Sequence, residues 1–323
     1  MASLLLKSTL ALELPKINKA LTQAHALLPD PVKPVAEHIF KAGGKRLRPF
    51  LTVLTGRLLG YDQDAIYRLA ITLEMLHAAT LLHDDVIDDA PLRRGQPAAH
   101  TKFSLTETIL AGDALLAMGN AIVAEFNDPM LSSSFSKATS DTCAGEINEI
   151  RHQHDPNVSE ATYFQIILGK TARLISCACE MGAILAHASK DQISASLAFG
   201  ENIGIAFQLV DDALDFESEK ITGKPTAGDL REGKMTLPVR YYLETLDNKA
   251  KEDFLEQFKR GSFTPDACQE IAAKIKDLAL DQKTRTCANM YLAKAIDALN
   301  TLPDRQEKKL LLAMTDYVRD RKK

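Results

Sequence analysis

Leu81-Leu82-His83-Asp84-Asp85-Val86-Ile87-Asp88 closes a long apolar stretch that begins at Ile71, and Phe207-Gln208-Leu209-Val210-Asp211-Asp212-Ala213-Leu214-Asp215 repeats the arrangement later in the chain. Within each DDxxD cluster the first and third aspartates are four residues apart, so a helix puts them on one face, one turn from each other. Like charges at that spacing cost a helix about 0.2–0.5 kcal/mol. At the C-terminal end of a helix the macrodipole disfavours them further. Local stability therefore does not explain the clusters, and a cation must offset the repulsion. Carboxylates suit a hard ion, and Mg²⁺ takes one or two of them and completes its octahedron with water and substrate phosphates. A solvated acidic helix end would account for one such cluster. It does not account for two of identical form, each followed by a glycine-bearing basic loop. The candidate metal ligands are Asp84, Asp85, Asp88, Asp211, Asp212 and Asp215.

The rest of the chain reads as helix. Apolar residues recur at three- and four-residue steps in 66–82, 107–126, 161–187, 192–210 and 288–299, and no stretch alternates as a strand requires. Pro29-Asp30-Pro31, Gly43-Gly44, Asp128-Pro129, Asp155-Pro156 and Thr264-Pro265 mark the breaks, and Pro49 suits a first helical turn. Two polar loops, from about Asp89 to Ser104 and from about Glu217 to Met235, directly follow the clusters and are candidate lids. With 323 residues, 46% apolar and 25% charged, the chain can bury a sizeable core. A net charge of −4 gives no sign of a nucleic-acid binder. The five cysteines form no CxxC or zinc spacing and read as reduced, mostly buried thiols. The N-terminus lacks the pattern of a signal peptide, and no uninterrupted apolar run reaches membrane-span length. The expectation is one cytoplasmic all-α domain spanning 1–323, with no transmembrane segment.

The cations decide what the carboxylates serve. Lys45, Arg46 and Arg48 follow Gly43-Gly44; Arg93 and Arg94 follow the first cluster; Lys170 lies in Gly169-Lys170-Thr171; Lys224 and Lys234 each follow a glycine. Any one of these is an ordinary surface cation. Together, beside glycines and acidic metal clusters, they favour a polyphosphate ligand. None has P-loop spacing, so a nucleoside triphosphate is not indicated.

In order along the chain, Gly43-Gly44-Lys45-Arg46-Leu47-Arg48-Pro49, Leu81 to Asp88 with Arg93-Arg94-Gly95, Gly169-Lys170-Thr171-Ala172, Phe207 to Asp215, Gly223-Lys224 with Gly228-Asp229, and Gly233-Lys234-Met235-Thr236-Leu237-Pro238 resemble the trans-prenyl diphosphate synthases. The resemblance covers nearly the whole chain and includes medium- and long-chain types such as octaprenyl diphosphate synthase. It implies the isoprenoid synthase fold, a single multi-helix bundle around a central cavity. It also implies Mg²⁺, three ions per active site, on Asp84, Asp88 and Asp211 with Asp85, Asp212 and Asp215 in or near that shell. Arg93, Lys170, Thr171, Gln208, Lys224 and Lys234 would contact an allylic diphosphate. Lys45, Arg48, His77 and Arg94 would bind isopentenyl diphosphate, although His77 taken alone reads as a core histidine. The implied reaction ionises the allylic diphosphate, joins the isopentenyl double bond to the cation, and loses a proton, for which the released diphosphate is the implied acceptor.

Chain length, in this family, depends on a tunnel beside the helix of the first cluster. Here Ala79 and Thr80 are small, with Met75 and Leu76 one turn back and Gly119 and Val123 as a possible floor. Small residues imply a medium or long, lipophilic product such as a quinone side-chain precursor. The alternatives are a short-chain farnesyl or geranylgeranyl synthase and a non-catalytic subunit of a heteromeric synthase; the latter usually loses acidic motifs that are intact here. The resemblance also implies a homodimer, with 107–126 as a candidate interface. Arg319-Asp320-Arg321-Lys322-Lys323 reads as a solvated tail, with a segment folded over the site as the alternative.

Overall fold

The computed structural model describes residues 2–217 and 226–322. Its helices are α1 (Ala2–Ala26), α2 (Lys33–Lys41), α3 (Leu47–Leu58), α4 (Ala65–Ile87), α5 (Ala99–Lys102), α6 (Leu105–Ala124), α7 (Pro129–Arg151), α8 (Glu160–Ile167), α9 (Arg173–Leu185), α10 (Lys190–Leu214), α11 (Gly228–Arg231), α12 (Leu237–Thr245), α13 (Asn248–Arg260), α14 (Pro265–Asp277), α15 (Leu280–Asn300) and α16 (Gln306–Arg319). The proline breaks fall where helix chemistry puts them. Pro129 and Pro265 open α7 and α14, and Pro49 sits in the first turn of α3, where its missing N–H costs nothing. Ser104 and Glu107 close a capping box on α6.

Two local features depart from the sequence reading. The loop after the first cluster contains a hairpin, β1 (Leu92–Arg93) paired with β2 (Gln96–Pro97). Its turn residues Arg94 and Gly95 have φ of 53° and 76°, the left-handed pair that suits the twist of a two-residue hairpin. A two-residue strand is too short to leave an alternating pattern. The second departure is a π-helical turn at Leu168–Ala172 that joins α8 to α9, where periodicity predicts one helix.

Contacts cluster into two compact units. One comprises Met1–Thr139, Cys177–Leu197 and Thr301–Leu311; the other comprises Ser140–Ser176, Ala198–Asn300 and Leu312–Lys323. In the first, α4 packs against α6, α3 and α1. Leu69, Ile71, Leu73, Met75 and Leu82 of α4 are fully buried, with Phe50 of α3, Leu115 and Ile122 of α6 and Phe135 of α7. Each such large side chain stabilises the fold by about 1.5–3 kcal/mol. In the second, α12, α14 and α15 pack together, and Phe258, Ile275 and Leu299 are fully buried.

Three helices, α4, α6 and α10, are long and apolar enough to cross a membrane by length and composition, although polar residues interrupt each of them. Of the apolar window of α4, 72% is buried inside the protein, against 39% for α6. Cys177, Cys179 and Cys268 are buried, Cys287 is half-buried and Cys143 is exposed, all as free thiols.

The first helix is tied down by one polar knot. Arg57 donates to Glu13 Oε1 at 2.6 Å and to the Tyr67 hydroxyl at 2.5 Å, and Tyr67 donates to Glu13 Oε2 at 2.6 Å. Glu13 is 5% exposed, so its removal strands a guanidinium and a hydroxyl. Glu13→Ala is expected to lower stability by about 2–3 kcal/mol, read as a shift of the urea midpoint at unchanged slope.

Candidate active site

In the first unit the basic residues converge around His77. Arg46 enters α3 from a left-handed backbone at φ 49°. Its guanidinium donates to Glu74 Oε1 at 2.5 Å and to the Phe40 carbonyl at 2.9 Å. A Cβ on Gly44 would lie 3.0 Å from Arg94 Nη1, so the backbone at Gly44 runs close beside that guanidinium. Burial first, then the charges of Arg48, Arg94, Arg93 and Arg46, hold His77 well below the usual histidine range, so the ring is neutral at pH 7. Burial also lowers Arg48 and Arg94, with Glu74 opposing in both. Among the described residues neither Arg48 nor Arg94 has a carboxylate within ion-pair distance, and Arg48 Nε is buried without a partner. The structure thus groups Arg48, His77 and Arg94, with Lys45 adjacent in sequence, into a cradle with spare positive charge. Glu74, the acid that organises Arg46, had only one sequence signal, a carboxylate inside an apolar helix.

The first aspartate cluster ends α4. The Asp88 N–H donates to the Asp84 carbonyl at 2.8 Å, one turn away as the spacing predicts. Asp84 is half-buried and Asp88 exposed. Asp85 is fully buried and accepts from Arg93, through Nε at 2.7 Å and also through Nη2; its second oxygen is buried without a partner. Arg93 therefore pins the hairpin to the end of α4. Met75, Leu76, Ala79 and Val123 are at most 2% exposed. Thr80 is half-buried and donates to the His77 carbonyl at 2.9 Å. A Cβ on Gly119 would lie 3.1 Å from Phe135, which adds an aromatic from α7 to that helix contact.

In the second unit acids surround the candidate lysines, the reverse of the His77 cradle. Lys170, on the π-helical turn, donates to Glu146 at 3.0 Å and Glu149 at 2.9 Å. Lys234 lies 3.1 Å from Glu149 and 2.7 Å from Glu232. The three glutamates have no motif to announce them, because they meet the lysines only in three dimensions. Thr171 donates to Gln208 at 2.7 Å, Gln208 donates to Asp212 Oδ1 at 2.8 Å, and the buried Tyr163 hydroxyl donates to Asp212 Oδ2. Asp215 accepts from the N–H groups of Gly228 and Asp229 at 3.1 and 3.0 Å. Asp212 and Asp215 thus have their oxygens engaged within the chain, and Asp211 is the more exposed member. Of these, Glu149, Tyr163, Lys170, Thr171, Gln208, Asp212 and Lys234 line a cavity of about 100 Å³ together with Asp229. Lys224 lies outside the described residues.

Burial pushes Asp212 up to about 7 and Asp215 up to about 6, with neighbouring acids adding to both. Asp229 is raised well above the usual range by burial and by Asp215 and Asp212. Carboxylates in this state lack positive charge, which a divalent cation would supply. Among the described residues no three potential ligands converge into an all-protein metal cage. Half-buried Asp84, exposed Asp88 and half-buried Asp211 suit Mg²⁺, which draws its remaining oxygens from water and phosphate.

The C-terminal segment is no solvated tail. Arg321 is 9% exposed at its side chain, pairs with Asp211 Oδ1 at 3.0 Å, and lies 3.9 Å over the Phe207 ring. Arg285 holds the same segment through the carbonyls of Arg319 and Arg321. The apolar Phe207 face offers a guanidinium a stacking site that a tail of mixed charge does not reveal in sequence.

Residues 29–275 match the model of the polyprenyl synthetase family. The chain is 37% identical to heptaprenyl diphosphate synthase component 2 of Bacillus subtilis, over 88% of this chain and 81% of that one. A decaprenyl diphosphate synthase of Rhodobacter capsulatus superposes with a TM-score of 0.92 at 31% identity, covering 99% of both chains. A polyprenyl synthase of Caulobacter crescentus, complexed with calcium and isoprenyl diphosphate, superposes with a TM-score of 0.91 at 34% identity, covering 98% of this chain and 97% of that one. With the motifs in order and the fold shared end to end, the chain belongs to the polyprenyl synthetase family.

Proposed function

We propose that this chain is a Mg²⁺-dependent trans-prenyltransferase that extends an allylic diphosphate with isopentenyl diphosphate to a medium or long all-trans polyprenyl diphosphate. The observation that carries the assignment of substrates is the opposite local charge balance of the His77 cradle and the second unit's pocket. A cradle with two guanidiniums lacking carboxylate partners suits a bare diphosphate. A pocket where acids outnumber lysines suits a diphosphate that arrives with its cations.

In this reading Arg48, Arg94, Lys45 and neutral His77 hold isopentenyl diphosphate. Lys170, Thr171, Gln208 and Lys234, with Lys224 and Arg93, hold the allylic diphosphate. Asp84, Asp88 and Asp211 hold Mg²⁺, up to three ions. When bound, Mg²⁺ neutralises charge that develops on the departing diphosphate. Lys170 and Lys234 add point charges, kept in place by Glu149 so that little reorganisation accompanies the reaction. Asp212, gripped by Tyr163 and Gln208, fixes the orientation of Gln208 and through it Thr171. The small Ala79 and the heptaprenyl and decaprenyl synthases among the relatives support a long product.

The exposed apolar residues of α6, such as Leu110 at 58%, support a homodimer through that helix. One observation favours a second reading, a two-component enzyme: a relative is named as component 2 of its synthase. Purified alone and incubated with Mg²⁺, farnesyl diphosphate and labelled isopentenyl diphosphate, the chain is expected to yield dephosphorylated alcohols of seven to ten isoprene units. EDTA should abolish them. Products of four units or fewer would favour the short-chain alternative, and no product would favour the two-component reading.

Ala79→Tyr is expected to shorten the product by several units and, because Ala79 is buried, to lower the melting temperature as well; an unchanged chromatographic pattern would refute the tunnel assignment. Because Asp212 and Asp215 hold protons more tightly folded than unfolded, the stability tied to their protonation declines as pH rises from about 4 through 7. The rise in melting temperature produced by Mg²⁺ is therefore expected to be larger at pH 8 than at pH 5.5, measured by scanning calorimetry.

A further inference from the structure

His154 lies between α7 and α8, outside every motif noted in the sequence. Its backbone is left-handed, φ 59°, a conformation uncommon for a residue with a Cβ. Two groups hold it there. Its N–H donates to the Gly233 carbonyl at 2.8 Å. Its Nδ1 lies 2.9 Å from the Phe258 carbonyl, and since a carbonyl only accepts, Nδ1 carries the proton. The imidazole fills the space above two glycines that are themselves left-handed. A Cβ on Gly233 would lie 2.4 Å from Nδ1, and one on Gly261 would lie 2.9 Å from Cε1. Gly261 caps α13, and the fully buried Phe258 belongs to its last turn.

Lys234 is the next residue after Gly233. Its own N–H donates to the Asp229 carbonyl at 2.8 Å, and its ammonium lies among Glu149, Glu232 and Asp229. The peptide that carries Lys234 is thus fixed on one side by α11 and on the other by His154. A lysine ammonium stands ~6 Å from its Cα, so a backbone rotation of about 10° displaces it by about 1 Å, enough to cost a positioned group much of its effect. The three atoms nearest to such a Cβ on Gly233 all belong to the His154 ring.

We propose that His154 is a positioning residue: it wedges the Gly233 peptide against the end of α13 and thereby sets where Lys234 meets the allylic diphosphate. The inference rests on the reading of the second unit's pocket as the allylic diphosphate site. It makes His154 a determinant of substrate affinity through Lys234, without contact with substrate.

The test is a double-mutant cycle in the full chain. His154→Ala is expected to raise KM for the allylic diphosphate about tenfold and leave KM for isopentenyl diphosphate unchanged. His154→Asn should restore most of the loss, since asparagine tolerates the left-handed backbone and its amide nitrogen takes the place of Nδ1. In a Lys234→Ala background, His154→Ala should add nothing further. Additive effects of the two substitutions, or an equal rise in both KM values, would overturn the proposal. Should His154→Ala fail to fold, His154→Gln, whose amide stands one carbon further out, takes its place against His154→Asn; equal KM values for that pair would also overturn it. Calorimetric binding of inorganic diphosphate with Mg²⁺ reads the same cycle without turnover. An inactive wild-type chain whose diphosphate affinity still follows the cycle would reject the assigned reaction while sustaining the role of His154.

Discussion

Carboxylates gathered at the ends of apolar helices repel one another, and the helix dipole adds to the penalty; much of the surrounding structure answers that repulsion. At the end of α4 the answer is Arg93, brought back by a two-residue hairpin to cover Asp85. At the end of α10 the answers are more numerous: Tyr163 and Gln208 on Asp212, two backbone N–H groups on Asp215, and Arg321 on Asp211. These contacts reduce the surplus without removing it: burial first, and then neighbouring acids, still hold the carboxyls of Asp212 and Asp215 above the usual carboxylate range. A site left short of positive charge has affinity for a cation built in.

The arginine cradle around His77 and the pocket of the second unit differ in local charge, and in the proposed reading that difference would separate two ligands that share a diphosphate group. An arginine cradle discriminates poorly between diphosphates by shape. It does discriminate by whether the anion comes with metal, since bound Mg²⁺ would meet guanidiniums without acidic partners. The acidic pocket applies the reverse criterion. His77 belongs to the same economy of charge: four guanidiniums and burial keep it neutral, so it presents a hydrogen-bonding ring where a further cation would raise repulsion.

What could be read from the sequence was whatever local spacing determines. The four-residue steps of the aspartates, the prolines at Pro49, Pro129 and Pro265, and the order of the glycine–basic motifs all act within one or two turns, so the helices and most candidate side chains were legible. Partnerships formed across the fold were not. Glu146 and Glu149 hold Lys170 from another helix, and Tyr163 reaches Asp212 from a segment with no motif. Arg321 looked like one charge among several in a basic end, because the Phe207 ring that receives it lies 114 positions away in sequence. The hairpin escaped notice since two residues per strand leave no periodicity.

The π-helical turn at Leu168–Ala172 has a consequence for how the segment from Glu160 to Leu185 can vary. One extra residue in a turn rotates everything beyond it by about 100° relative to an uninterrupted α-helix. The stripe that α8 buries and the stripe that α9 buries therefore need not share a phase, and Lys170 and Thr171 are displayed from the seam between them. Residues on α8 and α9 are free to change without re-aiming each other, while the length of the seam is not free. Across related chains, substitutions should spread on both sides of it, and insertions or deletions within it should be absent.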